Sequence, residues 1–195
     1  MAATRPKIAI SACLTGEEVR YNGGHKASRL CNEVLAEHFD FIGICPEVAI
    51  GLGTPRQAIR LTGDPANPRA VGSRDASLDV SQALDAYGAE MAGQLTDICG
   101  YIFMQKSPSC GLERVKVYQA NGYPATEGGR GLYAARFCAQ RPDPMLALAT
   151  FHAMKSFCGP VADSMTGESL NAKVLDRVTC KPPVASLRAV SPGSR

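Results

Sequence analysis

The chain has 195 residues, 45% hydrophobic and 20% charged, an ordinary balance for a globular protein of one domain that excludes a disordered one. Its formal charge of +3 is carried by Lys181, Arg188 and Arg195 near the C-terminus, so residues 1–180 are neutral overall and a general electrostatic grip on nucleic acid is not expected. The N-terminus, MAATRPKIAIS, holds too short an apolar stretch for a secretory signal, and no run approaches the roughly 18 apolar residues of a membrane span. The expectation is a cytoplasmic protein with no membrane partner, whose eight irregularly spaced cysteines are not a disulfide framework.

In chain order, residues 7–12 (KIAISA) read as a first buried strand, followed by a turn-rich loop. Ser28 is placed to cap a helix over 29–39, in which Leu30, Cys31, Val34, Leu35 and His38 share a face. Residues 41–44 (FIGI) form a second short strand. The stretch 46–76 carries Pro46, Pro55, Pro65 and Pro68, too broken for one helix, and reads as an excursion with a short strand over 57–62. Ser77 or Asp79 then caps a helix in which Val80, Leu84, Tyr87, Met91, Leu95 and Ile98 keep a helical spacing, and a third strand follows over 101–105.

Strands alternating with helices predict an α/β fold, a single-domain, three-layer, Rossmann-like arrangement with a mostly parallel sheet and right-handed crossovers. Residues 114–119 (RVKVYQ) alternate as an edge strand does, and a helix is expected over about 129–139. Asp143 and Pro144 read as the start of another helix reaching about Phe157. The expected organisation is a domain over 1–140, a helical extension over 141–180 and a flexible tail over 181–195.

Three cysteines stand apart. Cys13, Cys45 and Cys110 each lie where a strand-like run gives way to a loop rich in Gly or Pro, and the carboxyl ends of parallel strands are where ligands collect. The other five read as small buried hydrophobes. Three thiols from distant parts of the chain can hold a metal or an iron-sulfur cluster with one position open. A zinc site completed by His25 and a metal-free nucleophilic cysteine remain alternatives. No CxxC pair argues for a zinc ribbon or a thioredoxin-type site, and no glycine-rich phosphate loop is present. Glu47, held by Pro46 beside Cys45, is a candidate proton-transfer group. Ser107 and Ser109 offer hydroxyls ahead of Cys110, while Arg20, Tyr21, Arg56 and Lys106 bring donors and positive charge to the same rim.

Read together, ISACLTGEEVRYNGGHK (10–26), CPEVAIGLGTPRQAIRL (45–61) and KSPSCGLERVKVY (106–118) resemble the thiouracil desulfidase family, long labelled domain of unknown function 523. The closest likeness is to the branch often fused to domain of unknown function 1722, although residues 141–195 lack that branch's acidic continuation. The resemblance implies a 4Fe-4S cluster held by Cys13, Cys45 and Cys110, with one iron free of protein. It further implies non-redox, hydrolytic release of sulfide from thiouracil or a similar thiolated nucleobase. Glu47 would activate water or shuttle a proton, Ser107 would orient substrate or water, and Arg20, Tyr21 and Ser109 would bind substrate. The competing reading is a non-enzymatic iron-sulfur or zinc sensor with a fourth protein ligand, His25 or Cys31.

Overall fold

The structure is a computed structural model that describes residues 5–141. The helix expected from Asp143 and the tail over 181–195 lie outside the described residues, as does all but the first residue of the extension expected over 141–180.

Strand β1 (Lys7–Ser11) is the centre of a three-stranded sheet. It pairs in parallel with β2 (Asp40–Ile44) on one side and β5 (Ile98–Ile102) on the other, so all three carboxyl ends point the same way. A central parallel strand is covered on both faces, and Ile8, Ala9 and Ile10 of β1 accordingly form an unbroken apolar run. Ile8 and Ile10 face one side with Cys31, Leu35, Phe39 and Ile102. Ala9 faces the other, where Tyr101 and Phe103 pack with residues of the helices α2 (Ser81–Gln94) and α3 (Leu132–Gln140). The Tyr101 and Phe103 rings stack 3.8 Å apart, and Tyr133 and Phe137 of α3 meet them edge-on. These aromatic contacts fix α3 against the sheet.

Several elements differ from expectation. Residues 29–39 do not form a regular helix: Leu30–Val34 is a widened π turn and Leu35–Glu37 a 3-10 turn. Ser28 Oγ accepts the Cys31 N–H, as a cap does, but the Asn32 side chain donates to the carbonyls of Leu14 and Ser28. Such side-chain bonds compete with the helical ladder and tie the segment to the loop after β1.

The excursion over 46–76 is more ordered than its prolines suggest. It contains a short helix α1 (Pro46–Ala49) and an antiparallel hairpin of β3 (Ile59–Asp64) and β4 (Asn67–Gly72). Pro68 is tolerated because β4 is an edge strand. The expected edge strand shortens to β6 (Val117–Tyr118) and pairs in parallel with β3, giving a second sheet of order β4-β3-β6.

Helix α2 stops at Gln94, and Ile98, expected as the last member of its stripe, instead begins β5. Pairing of Lys7 with Ile98, reinforced by the Lys7 Nζ–Asp97 contact of 2.6 Å, starts that strand earlier than the expected 101–105. No helix among the described residues is long and apolar enough to cross a membrane.

Candidate functional site

The carboxyl ends of β1, β2 and β5 open into a cavity of about 430 Å³. Cys13 sits in a 3-10 turn directly after β1, and Cys45 directly after β2, before the proline that starts α1. Cys110 follows β5 by eight residues, on the SPSCG loop. All three line the cavity and all three are free thiols. Burial first, and the nearby Cys45 after it, push the Cys13 thiol up to about 11. Burial likewise pushes Cys110 up to about 12, against hydrogen bonds from Ser109 and Ser11. Cys45 is also shifted upward, chiefly by burial. As free thiols the three are therefore protonated at neutral pH, and an inorganic group that binds them displaces those protons.

The SPSCG loop owes its shape to α3. The first amides of the helix reach back to the loop: Leu132 N–H donates to the Pro108 carbonyl and Ala134 N–H to that of Ser109, both at 3.1 Å. The Gly131 amide, at the helix cap, bonds the Gly111 carbonyl at 2.7 Å. A Cβ on Gly131 would lie 2.5 Å from the Ser109 carbonyl oxygen, so only glycine permits this approach. Within the loop, Ser107 Oγ accepts the amides of Ser109 (3.3 Å) and Cys110 (3.1 Å) and lies 3.0 Å from Ser109 Oγ. Lys106, just before it, adopts the left-handed backbone conformation that non-glycine residues rarely take.

Glu47 lies in α1, two residues after Cys45. Its Oε1 accepts the Ser109 hydroxyl at 2.8 Å, and its Oε2 accepts Arg56 Nε at 3.0 Å and Nη2 at 2.8 Å. The pair is shielded, with 6% of the Arg56 side chain and 12% of the Glu47 side chain exposed. Removing one partner of such a pair strands the other charge, typically at a cost of about 3–5 kcal/mol.

Every expected site residue lines this one cavity: Cys13, Cys45, Cys110, Glu47, Ser107, Ser109, Arg20 and Tyr21. So do Arg56 and Lys106. Tyr21 is the most open of them, 44% exposed, with the Arg20 guanidinium 5.9 Å from its ring centre. His25 is not brought in; it is exposed, and its Nδ1 accepts the Ala27 amide in a local turn. Cys31 is fully buried in the core beneath the sheet. Among the described residues no group of three or more His, Cys, Asp or Glu is arranged to hold a single metal ion. Cys158 and Cys180, expected to be structural, lie outside the described residues.

Ser11 and Lys26 are among the lining residues not singled out in the sequence. Ser11, the last residue of β1 and 2% exposed, accepts the Met104 amide at 2.9 Å and bonds Cys110. Lys26 adds a cation at the rim, its backbone held by the Cys13 carbonyl. The signal for Ser11 was its position two residues before a rim cysteine at a strand end. Nothing in the composition of the turn-rich loop distinguished Lys26.

A parallel α/β rim that gathers three thiols, a carboxylate and two serine hydroxyls into one cavity defines a thiol-lined enzyme-type pocket of the α/β class. Residues 8–147 match the family model for 2-thiouracil desulfurase, and the chain belongs to that family. It is 32% identical over 110 residues to the uncharacterized protein YbbK of Bacillus subtilis strain 168, a match covering 53% of this chain and 72% of YbbK. Among solved structures it is similar to the [4Fe-4S]-dependent thiouracil desulfidase TudS. That likeness has a TM-score of 0.53 at 32% identity and covers 73% of this chain and 89% of TudS.

Proposed function

We propose that this chain is a cytoplasmic desulfidase that hydrolyses the C=S bond of thiouracil or a similar thiolated small molecule, using a 4Fe-4S cluster held by Cys13, Cys45 and Cys110. The observation that carries the reading is the meeting of these three thiols with Glu47 in one cavity. Family membership and the likeness to TudS support it. The donor set suits such a cluster: three thiols from separate segments with no histidine beside them, and the cations Arg20, Lys26 and Lys106 around them to balance an anionic group. When bound, the cluster supplies a Lewis-acidic iron without a protein ligand, suited to the sulfur of a thiocarbonyl.

The overall change is balanced without redox: thiouracil and water give uracil and hydrogen sulfide. Glu47 takes a proton from the attacking water and returns one to the departing sulfur, through Oε1, the oxygen not claimed by Arg56. Ser109 and Ser107 form a hydroxyl chain leading from that oxygen along the cavity wall, able to orient water or substrate. Arg20 and Tyr21 stand at the mouth, where a planar heterocycle meets an aromatic face and a donor.

Protein purified and reconstituted without oxygen is expected to carry four irons and to release sulfide from thiouracil. Cys110→Ala is expected to lose both, measured as iron content and methylene-blue-detectable sulfide. Retention of cluster and activity by that variant would overturn the proposal.

A further inference from the structure

We infer that Arg56 is the positioning residue of this site, fixing which oxygen of Glu47 serves the reaction. The inference rests on the desulfidase reading and deepens it. All five guanidinium N–H groups are used. Nε and one N–H of Nη2 converge on Glu47 Oε2, and the other N–H of Nη2 donates to the Val19 carbonyl at 2.9 Å. Nη1 donates to the Gly53 carbonyl at 2.7 Å and to Thr54 Oγ1 at 3.3 Å. The Arg56 amide also donates to the Tyr21 carbonyl.

This distribution makes the two carboxylate oxygens unequal. Oε2 is saturated by a rigid fork, whereas Oε1 keeps only the Ser109 hydroxyl and is left to the cavity. A carboxylate so held cannot rotate to exchange its oxygens. The second consequence concerns Val19, whose carbonyl accepts both Arg56 and the Cys45 thiol, at 3.6 Å. Lysine, a single point donor, reproduces the charge but not the fork.

The test uses the reconstituted, cluster-loaded chain with Arg56→Lys and Arg56→Ala, and Arg56→Ala combined with Glu47→Gln. We expect kcat to fall roughly 10- to 100-fold in both single variants, with KM changed less than about threefold and iron content at the wild-type level. Added guanidinium ion is expected to restore part of kcat in Arg56→Ala. In the Glu47→Gln background, loss of Arg56 should cost less than about twofold more, because it acts through Glu47. Wild-type kcat in Arg56→Lys, or fully additive losses in the double variant, overturns the inference. A crystal structure of metal-free Arg56→Lys gives an arm independent of activity: the Glu47 carboxylate should leave the Ser109 hydroxyl, and an unmoved carboxylate overturns the inference. Failure of the wild-type chain to release sulfide instead strikes the underlying desulfidase reading.

Discussion

The two serines ahead of Cys110 carry different burdens although they look equivalent in SPSCG. Ser107 Oγ holds two backbone amides of the loop, while Ser109 Oγ holds Glu47. Ser107→Ala therefore leaves two amides without their acceptor and is expected to lower stability by about 1–2 kcal/mol as well as to impair activity. Ser109→Ala removes a hydroxyl from the reacting carboxylate and is expected to lower kcat by about 10²-fold with a smaller change in stability. Paired thermal melts and sulfide-release kinetics separate the two, and equal effects on stability would refute the division of labour. Cys13 and Cys45 were legible at the rim because each directly follows a strand, whereas Glu47 lies in α1 and both serines and Cys110 stand on a loop five to eight residues past β5. The partners of these residues were not legible. Arg56 is eleven positions beyond Cys45 in a proline-broken stretch, and nothing in local spacing announces that its guanidinium returns to Glu47.

At the scale of elements, the contacts made at the starts of α2 and α3 decide how they serve the site; the N-caps are Val80 and Gly131, neither with a side-chain cap bond, so the cap expected from Ser77 or Asp79 is not made. The Asp79 carboxylate accepts both the hydroxyl and the amide of Ser81 and pairs with Arg69, while Ser81 Oγ accepts the Ala70 amide, so the start of α2 is bound to β4. These bonds, the Ser81 hydroxyl foremost, hold Asp79 down to about 2. Because the folded value lies below the unfolded one, the stabilisation is present above about pH 4 and is lost as pH falls toward 2. Asp79→Asn removes the charge held by Arg69 and Ser81 and, discounted for solvent exposure, is expected to cost about 1 kcal/mol at neutral pH, and urea unfolding across pH should show the difference vanish near pH 2. Gly131→Ala tests α3: its Cβ would drive into the Ser109 carbonyl, so the variant should lose about 1–3 kcal/mol and bind less iron after reconstitution, read by melting and iron assay. Periodicity revealed α2, α3 and the three parallel strands. It failed for 29–39, where Asn32 turns a helical pattern into a widened turn, and for β4, where proline in an edge strand hid the hairpin partner of the strand expected over 57–62. In both cases a tertiary partner overrode the local pattern.

At the scale of the molecule, the three thiols belong to the ends of β1 and β2 and to the loop after β5, so a group bound to all three ties the parallel sheet together across its carboxyl edge. Removing iron from the reconstituted protein with a chelator is expected to lower Tm by about 5 °C or more. Iron uptake should strengthen as pH rises through neutrality, since buried thiols held above their ordinary range must release protons. Anaerobic calorimetry and iron-binding titrations check both, and a Tm indifferent to iron would count against the three-cysteine site. The same spread of the proposed ligands, from position 13 to position 110, bears on assembly in the cell. No short segment of this chain contains enough of the site to capture a cofactor during synthesis. The sheet must form first, and the finished pocket must then be loaded from outside through its mouth, past Tyr21 and Lys106. On the proposed ligand set, maturation would be a delivery event into a folded protein, and the opening proposed to admit a small substrate would also admit the cofactor's donor.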